Sequence, residues 1–506
     1  MSVERYIDSS RQWFEANRSW FVYLLAVVLL SYTYELFNFT LTIDDENWAS
    51  VRQAGSHKGW LQQARWGMHI LSYMFNPNPV IPFSPLFLSL ICMALSYTVV
   101  VRLLAVQRTN ADYLCAPIFI ACSTLYYSLS FSSLVHGIGI GFLACSLGIY
   151  CLVHKNRLLQ CISVLLAAFA ISIYQAFLPV LLSLYALHII GLLIGEPAFD
   201  FKRILTGIVK FIVWIFMALL CYYVLNQFFL YIFGIEINGY IGGFVQFQFT
   251  SEYFSKSISL IVLDAKRYYL GKPEVFGYEL SSLKYTFLAC LLSFNVVNLI
   301  SNQKWWAKLA AFLISISLIF LPFLLHLMNA GRMPVRSMLA FPLVLTGFLY
   351  FSLLIKWPVW RLLLSILIVV CAVRFSVVNN QFTYSNILSW QSDNAVAIRL
   401  LERIDSKDLS IFKKGEKIPI VMVGYLERAE MPIRFRRETI GASFFEWDRG
   451  NVYRVIYFIN TLGEHRFFGR TRDASFVQSK KIEEMPTWPM KGCVEIIDAI
   501  VVIKFK

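Results

Sequence analysis

Residues 20–46 read WFVYLLAVVLLSYTYELFNFTLTIDDE. From Trp20 to Phe39 the run is almost without charge, and a bilayer core needs about 20 apolar residues. It ends in Ile43-Asp44-Asp45-Glu46. Consecutive carboxylates directly after a span are costly unless they face water or a polar cavity. In that place they are candidates to take a proton or hold a cation at the membrane surface. The alternative is a solvated loop.

Composition extends the membrane reading to the whole chain. Of 506 residues, 58% are hydrophobic and 15% charged, and the mean hydropathy is +0.60. These values exclude an ordinary soluble globular protein. The net charge of +14 sits mostly in short loops between apolar runs, where it sets topology and contacts lipid headgroups. It gives no reason to expect nucleic-acid binding. Nine of the ten cysteines lie in apolar runs and Cys493 stands alone in the polar tail, so no disulfide framework is expected. Arg5, Arg11 and Arg18 alternate with Glu4, Asp8 and Glu15 without a cleavable-signal pattern. The first span is therefore expected to remain as an anchor.

Apolar runs near 20–39, 82–105, 112–129, 132–153, 158–174, 176–195, 205–233, 283–300, 308–327, 337–355 and 360–378 predict about eleven spans. Two of the connections, after 153 and after 174, are so tight that the helices must form hairpins. Arg102 and Arg108, Lys155 and Arg157, Lys202 and Arg203, Lys304 and Lys308, and Lys356 and Arg361 all fall on one side, which the positive-inside rule makes cytoplasmic. Loops 40–81 and 234–282 and the tail then lie outside. The expected fold is mainly α: a polytopic membrane domain over 1–378 and a small external α/β domain over 379–506. In the tail, Asp393–Arg403 reads as a helix and Ile418–Tyr425 as a buried strand. Cys493–Phe505 reads as one or two strands broken at Asp498. Ser251–Leu270 has Phe254, Ile258, Ile261, Val262 and Ala265 near helical spacing. It reads as an amphipathic interfacial helix or as a loop helix packed on the bundle.

The candidate chemistry is external. Asp44, Asp45 and Glu46 can supply a general base for a sugar hydroxyl. The same loop carries His57, Lys58, Trp60, Arg65, Trp66 and His69; aromatic faces suit sugar rings and arginine forks suit phosphate. Arg65 reads equally as a structural partner of a triplet acid. Asn329-Ala330-Gly331-Arg332-Met333-Pro334-Val335-Arg336 places two arginines in a Gly/Pro turn, fit either for a lipid phosphate or for interfacial anchoring. Tyr174-Gln175 ends a span, where a buried Gln hydrogen-bonds a ligand or a neighbouring helix. His136 and His326 read as helix–helix hydrogen bonders. Arg434-Phe435-Arg436-Arg437 and Arg470-Thr471-Arg472 read as a solvated face or as a surface for anionic lipid or glycan. No structural-zinc, GxGxxG or phosphate-loop spacing occurs, so ATP and dinucleotide cofactors are not supported.

With these motifs in view, the chain resembles the serotype-converting O-antigen glucosyltransferases, polytopic enzymes of the GT-C class. The residues that carry the resemblance are Ile43-Asp44-Asp45-Glu46, Tyr174-Gln175, Gly331-Arg332-Met333-Pro334-Val335-Arg336 and Met485-Pro486-Thr487-Trp488-Pro489. The resemblance implies an inner-membrane glucosyltransferase whose donor is undecaprenyl-phosphate-glucose. The implied acceptor is a lipid-linked O-antigen on the periplasmic side, and the transfer is inverting. A flippase and a donor synthase act upstream. Asp44 or Asp45 is then the base, Glu46 an orienting group, and Arg332, Arg336 and Arg65 the phosphate holders, with Trp66, Tyr174 and Gln175 beside the substrate. No cofactor is required; a divalent metal is compatible with three clustered acids but nothing demands one. Two other classes handle lipid-linked sugars. A flippase fits less well, because the chain lacks repeats and intramembrane charges are few. A polymerase or ligase relies on loop arginines and a histidine and needs no acid triplet behind its first span.

Overall fold

The computed structural model describes residues 15, 17–50, 58–75, 80–104, 110–195, 201–237, 247–301, 303–328, 331, 333–413, 415–427, 433–471 and 474–505. Arg5, Arg11, His57, Arg108, Arg332 and Arg472 fall outside them. Among the described residues, eight helices are long and apolar enough to cross a membrane. They are Arg18–Phe37, Ser84–Leu103, Val135–Val153, Phe177–Gly195, Lys202–Phe233, Ser281–Ile300, Trp305–Met328 and Pro358–Asp405.

The remaining three expected spans are helical but shorter. The 112–129 stretch divides into Asn110–Ala121, with Pro117 inside it, and Ser123–Leu129. The 158–174 stretch is Arg157–Ile173. The 337–355 stretch is Ala340–Ser352, and every one of its residues is buried. A helix apolar on all sides belongs to the interior of the bundle, and length alone does not separate that from a lipid-facing span. Lys202–Phe233 is the opposite case. It is long and apolar with most of its surface outward, Tyr231 at 88% and Phe216 at 64% exposure.

The first helix, Arg18–Phe37, holds no Gly or Pro, and it buries Trp20, Leu24, Val27, Val28, Ser31 and Tyr32 as one stripe. Leu30, 80% exposed, points away from the bundle. Its last turn is closed by the Asn38 side chain, which donates to the Tyr34 carbonyl at 2.7 Å. Of the two expected hairpins, Val135–Val153 and Arg157–Ile173 pack along their lengths, whereas Arg157–Ile173 and Phe177–Gly195 are joined by a tight turn and touch little beyond it. Asn156 caps the second helix of one through Leu158 N, and the other turns within Tyr174–Ala176. Val135–Val153 approaches Ser84–Leu103 so closely at Gly139 that a Cβ there would sit 2.0 Å from the Ser89 carbonyl oxygen. Small residues allow this contact between membrane helices.

Ser251–Tyr269 is the expected loop helix. Tyr253, Ser257, Asp264, Ala265, Tyr268 and Tyr269 face the bundle, while Ile258, Val262 and Leu263 stay exposed. It is therefore both packed and apolar on its free side.

Pro358–Asp405 is one continuous helix, so the expected division after residue 378 falls inside it and the helix expected over Asp393–Arg403 is its far end. Beyond it stands a four-stranded sheet in the order β2-β1-β4-β3, with β1 Ile418–Val423, β2 Phe467–Gly469, β3 Val494–Ile497 and β4 Ile500–Lys504. β1 pairs parallel with β2 and β4; β3 and β4 form an antiparallel hairpin. The hairpin turns at Asp498 and Ala499, both at positive φ (49° and 57°), the twist that suits a two-residue turn. Arg403, from the long helix, stacks over Trp488 at 4.4 Å and donates to the Pro489 and Met490 carbonyls, fixing the Met485–Pro489 motif against that helix.

The core of this tail is completed from elsewhere. Leu41 and Ile43, in the loop after the first span, are buried in it with Phe444, Phe445, Val455 and Ile459. Burying one aliphatic side chain contributes about 1.5–3 kcal/mol. The acid triplet is thereby held against the tail.

Candidate active site

The loop after the first span turns sharply at Asp44, whose φ of 85° is uncommon for a residue with a side chain. The short helix Asp45–Ser50 begins directly after it. This bend sends the three acids in three directions. Asp44 is accessible, with 42% of its side chain exposed. Asp45 is fully buried and accepts from Thr42 Oγ1 at 2.8 Å and from the backbone N–H groups of Thr42, Ser132 and Ser133 at 3.3–3.4 Å. Burial pushes its carboxyl up to about 6, against those hydrogen bonds. Glu46 is also buried, and its Oε2 has no hydrogen-bond partner among the described residues. Burial pushes it up to about 7, with the nearby Arg454 charge pulling the other way.

Arg454 is the cation that meets the triplet. It rises from the helix Val452–Thr461, whose Val455, Ile456, Phe458 and Ile459 are buried in the tail core. Its Nη2 donates to Asp44 Oδ1 at 2.8 Å, its Nη1 to Glu46 Oε1, and its Nε to Asp448 Oδ2 at 2.7 Å. Burial alone would lower its pKa; Asp44 and Glu46 outweigh that and raise it. Nothing local in the sequence ties this arginine to the triplet, because Asp44 and Glu46 lie more than four hundred positions away.

The second expected pole is partly in place. Arg332 lies outside the described residues. Arg336 sets its guanidinium 5.1 Å from the Phe131 ring centre, and its carbonyl accepts from Ser128 Oγ at 2.9 Å. Phe131 immediately precedes the two serine amides that hold Asp45. On ordinary peptide and Phe dimensions this puts the Asp45 carboxylate within about 15 Å of the Arg336 guanidinium. The tail supports this turn too: the Glu438 carboxylate accepts from Val335 N–H at 2.9 Å. On the other flank, His326 bridges Asp264 Oδ2 (3.0 Å) and the Gly331 carbonyl (2.9 Å).

Arg65, Tyr174 and Gln175 come together as one cluster. The Arg65 guanidinium lies 4.6 Å from the Tyr174 ring centre and 5.7 Å from that of Trp60, and its Nε donates to Gln175 Oε1 at 3.4 Å. Gln175 Nε2 donates in turn to the Gln63 carbonyl at 3.1 Å and to Tyr222 Oη at 3.4 Å. Trp66 is buried with its ring stacked on Phe229, so it forms wall rather than open surface. Trp48, two residues after Glu46, stacks on Trp60 with ring centres 4.9 Å apart. It ties the triplet helix to the Arg65 cluster, and sequence reading did not single it out. Among the described residues, no group of three or more His, Cys, Asp or Glu is arranged to hold a metal ion.

Accessible and buried carboxylates, a clasping arginine from the tail and a second arginine beside Phe131 suit proton removal from an alcohol beside a departing anion. A family model described as Glucosyl transferase GtrII matches residues 33–355, from just before the triplet through Arg65, Tyr174-Gln175 and Arg336. No curated protein and no solved structure matches the chain. The family match spans well over half of the sequence, and the chain belongs to the GtrII glucosyl transferase family.

Proposed function

We propose that this glucosyltransferase moves glucose from undecaprenyl-phosphate-glucose to a hydroxyl of a lipid-linked O-antigen, with inversion at the anomeric carbon. The reaction takes place on the periplasmic side of a bacterial inner membrane. The supporting observation is that Arg454 clasps Asp44 and Glu46 while residues 128–133 hold both the adjoining Asp45 and Arg336. In this reading about eleven helices cross the membrane, the basic loops are cytoplasmic, and loops 40–81 and 234–282 face the substrate. The tail caps them. An upstream synthase and flippase deliver the donor.

Asp44 is the base, being the one acid of the three whose carboxylate is substantially exposed. It takes the proton of the acceptor hydroxyl while that oxygen bonds to the anomeric carbon. The bond from that carbon to the phosphate oxygen breaks, and undecaprenyl phosphate leaves. Phosphate is a good leaving group, so cations suffice and no general acid is needed. Arg336 and its neighbour Arg332 hold the phosphate, with Arg65 as a third cation. Arg454 and Glu46 fix the direction of the Asp44 carboxylate. Asp45 anchors the loop to the Ser132 and Ser133 amides and does not reach substrate.

The test is glucose transfer in lipid nanodiscs from undecaprenyl-phosphate-glucose to the lipid-linked acceptor. Removing a general base costs about 10²–10⁴-fold, the loss expected for Asp44→Ala. Full activity in a folded Asp44→Ala protein would refute the assignment. Polymerised glycan in place of glucosylated glycan would move the protein to the polymerase class.

A further inference from the structure

Glu35 is the single charged residue of the first apolar run, nine residues ahead of Asp44. The mechanism above does not use it. Its Oε2 is cut off from solvent and has no hydrogen-bond partner among the described residues. A buried, unpartnered carboxyl oxygen near the end of a membrane helix is costly, so it points to a group that arrives.

Glu35 faces a recess of about 50 Å³. Its inner end is polar, with Thr42, Tyr126, Ser130 and Asn386. Asn386 Nδ2 donates to Tyr126 Oη at 3.3 Å, and Asn386 Oδ1 accepts from Gly441 N–H at 2.8 Å, so these groups are fixed in orientation. Thr42 also donates to Asp45 and to the Ser130 carbonyl, so the recess and the acid triplet share a wall. Its outer end is apolar. Phe83 lines it, with the Phe37 ring centre 5.8 Å away and that of Phe87 5.4 Å away. Phe37 is 71% and Phe83 43% exposed, on the outer surface of the helix bundle.

A small polar recess behind an exposed aromatic mouth fits a sugar carried on a prenyl chain. The space is too small for a whole pyranose but takes a few of its hydroxyl groups, one water needing about 10–15 Å³ in the same measure. The donor sugar is attached to its lipid through a single phosphate, which keeps the ring close to the prenyl chain. We propose that this recess is a donor-sugar subsite in which Glu35 hydrogen-bonds a hydroxyl of the glucosyl ring while the prenyl chain lies along Phe37, Phe83 and Phe87. The proposal rests on the prenyl-phosphate-glucose reading above.

Single-deoxy donors test it: prenyl-phosphate-glucose lacking the 2-, 3-, 4- or 6-hydroxyl, compared in wild type, Glu35→Gln and Glu35→Ala. A site built to bond a hydroxyl rejects the analogue lacking it by about 10⁴-fold, and at least 10² is expected in kcat/KM for one position of the wild type. In Glu35→Ala that one penalty should collapse to within about threefold while the other three stay unchanged, the signature of a direct pair in a mutant cycle. Thermal unfolding establishes that the variants fold; Glu35→Leu, which also removes the hydrogen bond, carries the comparison if Glu35→Ala does not, and Glu35→Gln, which keeps one, should retain part of the penalty. Equal penalties in wild type and folded variants overturn the subsite. Binding of prenyl-phosphate-glucose without acceptor, by native mass spectrometry, separates the two readings. Glu35-dependent binding with no transfer in wild type sinks the enzyme reading and keeps the subsite. Transfer with unaltered deoxy penalties does the reverse.

Discussion

The loop after the first span has two ends, and they hold their charges differently. At the triplet end, two carboxylates are clasped by Arg454, delivered by a tail helix. At the Arg65 end, the guanidinium rests on the rings of Tyr174 and Trp60 and on the Gln175 amide. The first arrangement couples opposite charges through the tail. The second holds a cation by π faces and a neutral dipole, within the membrane helices. The triplet end therefore takes its cation from the tail, whereas Tyr174, Trp60 and Gln175, which meet Arg65, all precede the tail in the chain. Substitutions at the two ends should separate accordingly.

The largest difference is expected from Asp44→Asn, with transfer falling about 10²–10⁴-fold and unfolding temperature unchanged, because Asp44 is half exposed. Equal loss of stability would mean that Asp44 is structural. Next comes Arg454→Ala, which strands the buried Glu46 and should cost about 3 kcal/mol in stability. Adding Glu46→Gln should recover part of that loss, because the stranded charge is gone; no recovery in thermal unfolding would break the pairing. Arg65→Lys is expected to cost about 1 kcal/mol, read as a roughly fivefold rise in donor or acceptor KM, since lysine cannot stack on two rings. A tail-dependent loss at Arg65 would erase the contrast between the ends. Trp48→Leu should have a comparably small effect, about 0.5–1.5 kcal/mol from one stacked pair.

pH sharpens the same contrast. Burial raises Asp45 from 3.8 to about 6 and Glu46 from 4.5 to about 7. Between the ordinary and raised values the folded chain binds more protons than the unfolded chain, so stability from these groups falls as pH rises through that window. Stability followed from pH 4 to pH 8 should decline, and Glu46→Gln should flatten the upper part of the decline. Transfer should run the other way, rising through about pH 7 as Glu46 ionises and tightens on Arg454.

Much of the frame was legible because it rests on local patterns. The β-branched runs around Ile418 and Val501 form strands, and the break falls at Asp498, as the polar residue there predicts. Span lengths were less legible. Hydropathy counts apolar residues without distinguishing lipid from protein as their surroundings, and Ala340–Ser352 is apolar because helices enclose it. The triplet was visible as a cluster, but its division into one exposed and two buried acids was not. That division comes from the Ser132 and Ser133 amides and from Arg454, all distant in sequence. Glu35 was hidden by the average of its apolar neighbours, although an acid in such a run is itself a signal.

The most direct test of the central claim is the turnover of Asp44→Asn in nanodiscs at saturating undecaprenyl-phosphate-glucose and acceptor, with donor affinity measured alongside. The expected result is kcat reduced by about 10² or more with donor binding unchanged. A kcat within threefold of wild type would contradict it.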